Sequence, residues 1–340
     1  MRPLTRRVGE FLLVGGLTPI LLGLSWLVRR HVALDSATYA AGFATFYAAW
    51  VINDPHFTVT YFLFYRDARA RAFGGAFPPV QRARYLVAGF LVPAWMAAWG
   101  AAAIAQRSWL MMGLLLQTMF FLVGWHYVKQ GFGVMTVLAA RRGVRFSANE
   151  RLAILAHCYA GWAYAWASPF DPGHQVEEKG VVYMTIAHPR WLEPATHAVF
   201  LATLAALALV LALKWRREKR LPLVTPLTAM LCSVWSWSIY SNADPLLVYA
   251  IPALHSVQYL YFVWLMRRNE AREREGPPHF DVSAKVRLGT LAALSIAAGV
   301  LAFHAGPTAL DDLFVSKRAM FDKPLGPTPY NQLYPTAPVP

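Results

Sequence analysis

Charge is scarce in this sequence, and what there is leans one way. Only 15% of the 340 residues are Asp, Glu, Lys or Arg, with 32 Lys and Arg against 18 Asp and Glu. A soluble domain carries roughly a quarter of its residues charged, so an ordinary globule of this length is excluded. Cysteine is nearly absent too. Cys158 and Cys232 are the two in the chain, both inside apolar runs, which excludes a disulfide framework and a thiolate zinc motif. Soluble-enzyme signatures are missing: there is no Walker loop, no dinucleotide fingerprint after a strand and no serine-hydrolase elbow. "GFG" at 131–133 is a small-residue notch on a helix rather than a phosphate loop. No internal repeat is found.

What is present is apolar length. Hydrophobic residues make up 57% of the chain, and apolar windows of roughly 20 residues, enough to cross a hydrocarbon core of about 30 Å as helices, recur along it. The expected fold is an all-α polytopic membrane bundle over residues 1–306 with nine transmembrane helices, at 11–28, 37–65, 85–105, 109–139, 150–168, 193–213, 223–242, 246–266 and 287–306. Arg2, Arg6 and Arg7 precede the first span in the manner of a secretory signal, but Arg29 and Arg30 follow it without a small-residue cleavage site, so it reads as a retained helix. Residues 307–340 hold seven prolines, Pro307, Pro324, Pro327, Pro329, Pro335, Pro338 and Pro340, and read as an extended extracytoplasmic tail.

The net charge of +14 raises the question of nucleic acid, and its distribution answers it. Basic residues gather in alternate loops: Arg66 to Arg84, Arg141 to Arg151, "KWRREKR" at 214–220, and Arg267 to Arg287. With the amino terminus, these are the loops a nine-helix chain leaves in the cytoplasm, so the amino terminus is expected inside and the carboxyl terminus outside. Arg29 and Arg30 break the pattern. The expected location is a bacterial inner membrane, with anionic headgroups as the partners of the basic loops and no nucleic acid.

Ionisable residues inside a span are costly unless paired or hydrated, and mark sites by default. Four histidines lie inside spans: His56 in "NDPHFTVTY", His126 in "GWHYVKQGFG", His157 in "LAHCYAGWAY" and His255 in "PALHSVQYLYFVW". On the fourth span His126, Lys129 and Gln130 share a face at i, i+3 and i+4; on the eighth His255, Gln258 and Tyr259 repeat that spacing. Asn53 and Thr60 flank His56 on its helix, while Asp54 falls elsewhere unless Pro55 kinks the second span. Counted from the nearest cytoplasmic arginine at about 1.5 Å per residue, His56 lies about 15 Å deep, His255 about 18 Å, His126 about 22 Å and His157 about 9 Å. The first three are therefore expected to converge on a metal, with His157 as a fourth ligand or a group behind it.

Each residue also has a plainer reading. A single intramembrane histidine is often a hydrogen-bonding packing residue. Lys129 would meet an anionic substrate group, pair with Asp54 or sit in a polar cavity; a retinal Schiff base does not suit the nine-span pattern. The aromatic residues around the histidines either wall a lipid pocket or pack the helices. The loop at 168–194, with His174 and His188 beside Asp171, Glu177 and Glu178, is expected to be solvated.

The paired HxxxH and HxxHH boxes of membrane desaturases are absent. The dispersed set His56, His126, His157 and His255 in a polytopic chain resembles, at the level of architecture, the bacterial Brp/Blh-type carotene dioxygenases. In those proteins, histidines from separate helices hold one iron near a hydrophobic substrate tunnel. The resemblance implies oxidative chemistry on a lipid, isoprenoid or carotenoid-like substrate. Independently, neutral imidazoles suit Fe(II), Cu or Zn, and such a centre with open positions activates dioxygen or water. The expectation is thus an iron-dependent oxidoreductase in which Lys129, Gln130, Gln258, Tyr259 and Asp54 support catalysis. Zinc, copper or haem are alternatives for the metal. The rival functions are a transporter whose polar pathway runs through His126, Lys129, Gln130 and Asp54, and a haem carrier with His126 and His255 as axial ligands.

Overall fold

The computed structural model describes residues 3–75, 77–106, 108–167, 175–178, 181–184, 188–219, 223–241 and 243–309. The proline-rich tail from residue 310 onward, with Asp171 and His174, lies outside them. The described chain is helical apart from one antiparallel two-stranded hairpin, β1 (Gln175–Glu178) and β2 (Val181–Met184), in the loop that was expected to be solvated. Five helices are long and apolar enough to cross a membrane: Arg7–His31, Pro79–Ala105, Trp109–Arg141, Leu192–Glu218 and Ala284–Ala309. A shorter apolar helix covers Val224–Ile239.

In chain order the helices are α1 (Pro3–Phe11), α2 (Leu17–His31), α3 (Leu34–Val51), α4 (Asn53–Tyr65), α5 (Ala68–Ala72), α6 (Pro79–Leu86), α7 (Val92–Ala105), α8 (Trp109–Arg141), α9 (Ala148–Ala167), α10 (Leu192–Glu218), α11 (Val224–Leu231), α12 (Leu247–Glu275) and α13 (Ala284–Val300). Wider π-helical turns at Leu12–Gly16, Val87–Leu91, Cys232–Ile239 and Leu301–Ala305 join or extend them.

One expected span is broken. The run at 37–65 is two helices, because the chain leaves helical geometry at Ile52 (φ −120°, ψ −60°). A proline inside a helix deletes a hydrogen bond and clashes with the carbonyl four residues back, whereas in a first turn no donor is needed. The chain therefore restarts at Asn53, which places Pro55 in the first turn of α4 instead of at a kink within one long helix.

The described residues divide into two compact units, those that fall within 1–56, 120–169 and 188–290, and those that fall within 57–119, 170–187 and 291–340. In the first, α8 is the central strut. One side packs Val128, Met135, Ile154, Cys158, Phe200, Met230 and Val234 from α8 to α11 and the following π-turns. Cys232, Trp237, Leu247, Ile251 and Leu254 form a second cluster against Tyr127, and Val14, Val134, Leu138 and Ala229 a third. The close approach of α8 to the Cys232–Ile239 segment depends on Gly131, since a Cβ there would lie 2.6 Å from that of Ser233. The sequence notch is a real one. At Gly15 the backbone takes φ +139°, a conformation side chains disfavour, and this completes the π-turn that joins α1 to α2.

Polar pairing holds the helix ends of this unit. Ser147 and Glu150 exchange backbone and side-chain hydrogen bonds in a capping box that starts α9. Glu150 also meets Lys214 and Arg217 from α10. Arg141 and Arg142 reach Glu10 at 3.3 and 3.1 Å. At the opposite end of α12, buried Asp244 accepts from the Ser25 hydroxyl at 2.7 Å, from the Leu246 and Leu247 amides, and from Arg29 at 3.0 Å.

In the second unit, the Tyr65 hydroxyl donates to the Gly89 carbonyl at 2.5 Å and the Tyr85 hydroxyl to the Phe64 carbonyl at 3.0 Å. Arg71 donates to the carbonyls of Leu63 and Phe64, answering the last turn of α4. Thr58 reaches the Ser295 carbonyl at 2.7 Å.

Burial alone would push the Asp244 carboxyl up, but hydrogen bonds from Ser25 and the Leu247 and Leu246 amides, with the Arg29 charge, hold it below the usual carboxylate range. A carboxylate depressed on folding adds stability that is complete above about pH 4 and is lost as pH falls through its folded value. Asp244→Ala should therefore cost about 2 kcal/mol or more near neutral pH. In detergent, thermal unfolding followed by tryptophan fluorescence should show the gap between wild type and variant closing below about pH 4; a gap that is the same at both pH values would refute this account.

Candidate metal centre

Three of the four intramembrane histidines converge. His56 stands in the first turn of α4, His126 near the middle of α8 and His255 two turns into α12. A ligand nitrogen from each lies within 4.8 Å of the others. The ring centroids are 5.9 Å apart for His56 and His126, 5.3 Å for His56 and His255, and 4.9 Å for His126 and His255. Imidazole nitrogens bind first-row metals at about 2 Å, so two ligands of one ion stand roughly 3 to 4 Å apart. Small side-chain rotations bring the three nitrogens into that range. His56 and His255 are buried, at 4% and 3% exposure, and His126 is more open.

The walls of the site are aromatic. Tyr127 stacks on His255 at 3.9 Å, Tyr259 meets His56 edge-on at 4.5 Å, and Trp237 meets His255 edge-on at 6.4 Å. These rings enclose His255 without supplying a hydrogen bond: neither of its buried nitrogens has a partner among the described residues. A metal would satisfy one of them.

Behind the imidazoles lies an amide pair. Gln130 Nε2 donates to the His255 carbonyl at 3.0 Å and to Gln258 Oε1 at 2.9 Å, and Gln258 Nε2 donates to the Val14 carbonyl at 2.7 Å. That carbonyl belongs to the π-turn at Leu12–Gly16, where the wider helical turn carries it toward α12. Ser256, next to His255, donates to Asn53 Oδ1, which sits three residues before His56. Sequence spacing pointed to both glutamines and to Asn53 beside His56, and Trp237 was among the aromatic residues expected around the histidines; Val14 and Ser256 completed the surroundings without a sequence signal strong enough to find them.

His157 is not part of this group. It is fully buried; the Trp235 indole donates to its Nε2 at 3.2 Å, and its Nδ1 lies 3.3 Å from Thr203 Oγ1. The indole can only donate, so Nε2 is the acceptor, and Nδ1 carries the proton and donates to the threonine. Both nitrogens are engaged, which makes His157 a cross-link of α9, α10 and the Cys232–Ile239 segment.

Lys129 also turns away from the three histidines. Its ammonium stands 5.7 Å from the rings of both Phe132 and Tyr159. Asp54 is buried in the first turn of α4 and has interactions of its own, and its carboxylate does not join the three-histidine set. Gln130 and Gln258 stand behind the centre and Tyr259 beside it. In the loop before α10, His188 packs against Trp166 at 4.1 Å.

No known family model matches the chain, and no curated protein or solved structure matches it at a significant level.

Alanine at His56, His126 or His255 should weaken cobalt(II) or zinc(II) binding by at least about tenfold, measured on purified protein by mass spectrometry after equilibrium dialysis. His157→Ala should keep the metal and lose thermal stability, since it strands the Trp235 indole. Loss of metal in His157→Ala with retention in His126→Ala would reverse the assignment.

Proposed function

We propose that this chain is a membrane-embedded metal enzyme in which His56, His126 and His255 hold the ion and oxidoreductase chemistry is carried out on a lipophilic substrate of the lipid, isoprenoid or carotenoid-like class. The observation that carries the proposal is the convergence of three buried or half-buried imidazoles from three helices within 4.8 Å. Structural metal sites are closed by four protein ligands, whereas catalytic ones keep positions open. Among the described residues no fourth histidine, cysteine or carboxylate completes this set.

Iron is the metal we put forward. Three neutral nitrogens suit Fe(II), and they leave room for dioxygen and substrate together. Two histidines alone would serve a bis-histidine haem; the convergence of a third imidazole on the same two favours a non-haem ion. The non-haem centre is the version carried forward.

The topology proposed with it is nine spans in a bacterial inner membrane, amino terminus inside and carboxyl terminus outside. Arg29 and Arg30 are the exceptions to the charge pattern, which counts arginines whether or not they are paired, and the four later basic loops carry the proposed orientation. A lipid substrate would reach such a centre laterally from the bilayer.

One observation favours a second reading. The break at Ile52 ends one helix and starts another beside His56, and discontinuous helices near a polar site are a mark of transporters.

Anaerobic reconstitution with Fe(II) separates the two. The enzyme reading expects about one iron per chain, lost in His126→Ala, and a high-spin iron–nitrosyl electron paramagnetic resonance signal on adding nitric oxide, because the open positions accept it. Well-folded wild type that takes up no iron, copper or zinc from supplemented preparations would sink the enzyme reading and leave the transporter.

A further inference from the structure

The amide pair behind the histidines has a polarity that can be worked out. Its two ends are backbone carbonyls, of Val14 and of His255, and a carbonyl only accepts. Gln258 must therefore turn its Nε2 toward Val14, which leaves its Oε1 facing Gln130. Gln130 in turn must present Nε2 to both the His255 carbonyl and Gln258 Oε1, so both of its N–H groups are used. Flipping either amide would set two acceptors against each other. Gln130 Oε1 is forced to point away from the pair, and there it is buried and accepts no hydrogen bond from any described residue.

This orphaned acceptor belongs to a side chain one helical turn from one proposed ligand and bonded to the backbone of another. Gln130 is one helical turn from His126 on the same face of α8, and its own Nε2 is bonded to the backbone of His255. Both side-chain nitrogens of His255 are likewise without a hydrogen-bond partner among the described residues. An acceptor buried without a donor is costly, and no described residue offers a donor, whereas a metal ligand carrying a hydroxyl proton would supply one.

We infer that the open side of the three-histidine centre takes a ligand bearing an O–H group, whose oxygen binds the metal and whose proton is accepted by Gln130 Oε1. The inference rests on the metal reading above and adds the chemistry of the ligand that the centre selects. Two sources share that chemistry: a water or hydroxide, and a lipid alcohol. The interaction discriminates against ligands that reach the metal without a proton to give, because these leave Oε1 unsatisfied.

The test uses full-length protein loaded with cobalt(II), whose visible spectrum reports ligand exchange. Wild type and Gln130→Met are titrated with 1-octanol and with azide, an anion without a proton. The variant should bind octanol about tenfold more weakly and azide almost unchanged; a structural disturbance would move both. Electron–nuclear double resonance in light and heavy water then identifies the source. If octanol leaves the spectrum unaltered, an exchangeable proton coupled to cobalt in wild type and altered in Gln130→Met assigns the ligand as water.

Equal loss of both probes in the variant, or no change in either together with an unaltered proton coupling, would overturn the inference. Should Gln130→Met fail to fold, wild type alone decides: octanol binding or an exchangeable coupled proton supports the proposal, and the absence of both defeats it. Failure of wild type to bind cobalt at all would remove the metal reading and this inference with it, an outcome distinct from a loaded centre that has no hydroxyl ligand.

Discussion

A buried polar atom in an apolar helical protein has to be answered by something, since leaving it without a partner costs on the order of 1 to 3 kcal/mol. Most of the polar groups described here are answered by neighbouring helices. Asp244 is met by a hydroxyl, two amides and a guanidinium. Lys214 is met by the Arg145 carbonyl and two carboxylates. Against this background of satisfied pairs, both nitrogens of His255 and the Oε1 of Gln130 stand out, and they lie together. The described residues form an environment that they do not themselves complete.

The contrast between His157 and His255 shows where sequence reasoning reached its limit. Both sit inside apolar runs, both are buried to within a few per cent, and although Gln258 and Tyr259 follow His255 where His157 has Ala160 and Gly161, that spacing alone did not set His157 apart. The depth estimate did: His157 was placed nearer the membrane surface than the other three, and it is the one the structure sets apart. What it does there could not be read, because its partners Thr203 and Trp235 come from α10 and the π-turns after α11. Lys129 is a similar case. Its spacing from His126 allowed a shared face, yet an i+3 neighbour lies about 60° around an ideal helix, enough for its ammonium to settle among Phe132 and Tyr159.

The apolar runs themselves were legible, and helices occupy each of the nine stretches that composition marked out. Their ends were less so. Residues 267 to 275 continue α12 well past its apolar part because Arg267 and Glu270 pair along the helix surface, and a hydropathy window stops where charge begins. Backbone irregularities escaped altogether. A π-turn has no strong residue signature, since it needs only one extra residue per turn and neighbours that accommodate it. Pro55 did mark the second span as irregular, but whether a proline kinks a helix or sits in the first turn of a new one depends on the residue at which the preceding helix stops.

Three of those irregularities adjoin the histidines. The turn at Leu12–Gly16 delivers the Val14 carbonyl to Gln258, the turn at Cys232–Ile239 brings Trp237 to His255, and the break at Ile52 precedes His56 by four residues. Non-helical backbone in an apolar setting is tolerated where protein or a polar cavity satisfies it, and here it also sets the ligands unequally. His126 and His255 stand on long helices tied to each other through Gln130. His56 stands in a first turn, held through its neighbour Asn53 by Ser256. Of the three, its position follows most directly from the geometry of a helix end, and a helix end can shift without disturbing a continuous ladder of hydrogen bonds. Were the three to hold an ion as proposed, two firm imidazoles would keep it in place while the one at a helix start let its coordination change as a further ligand entered.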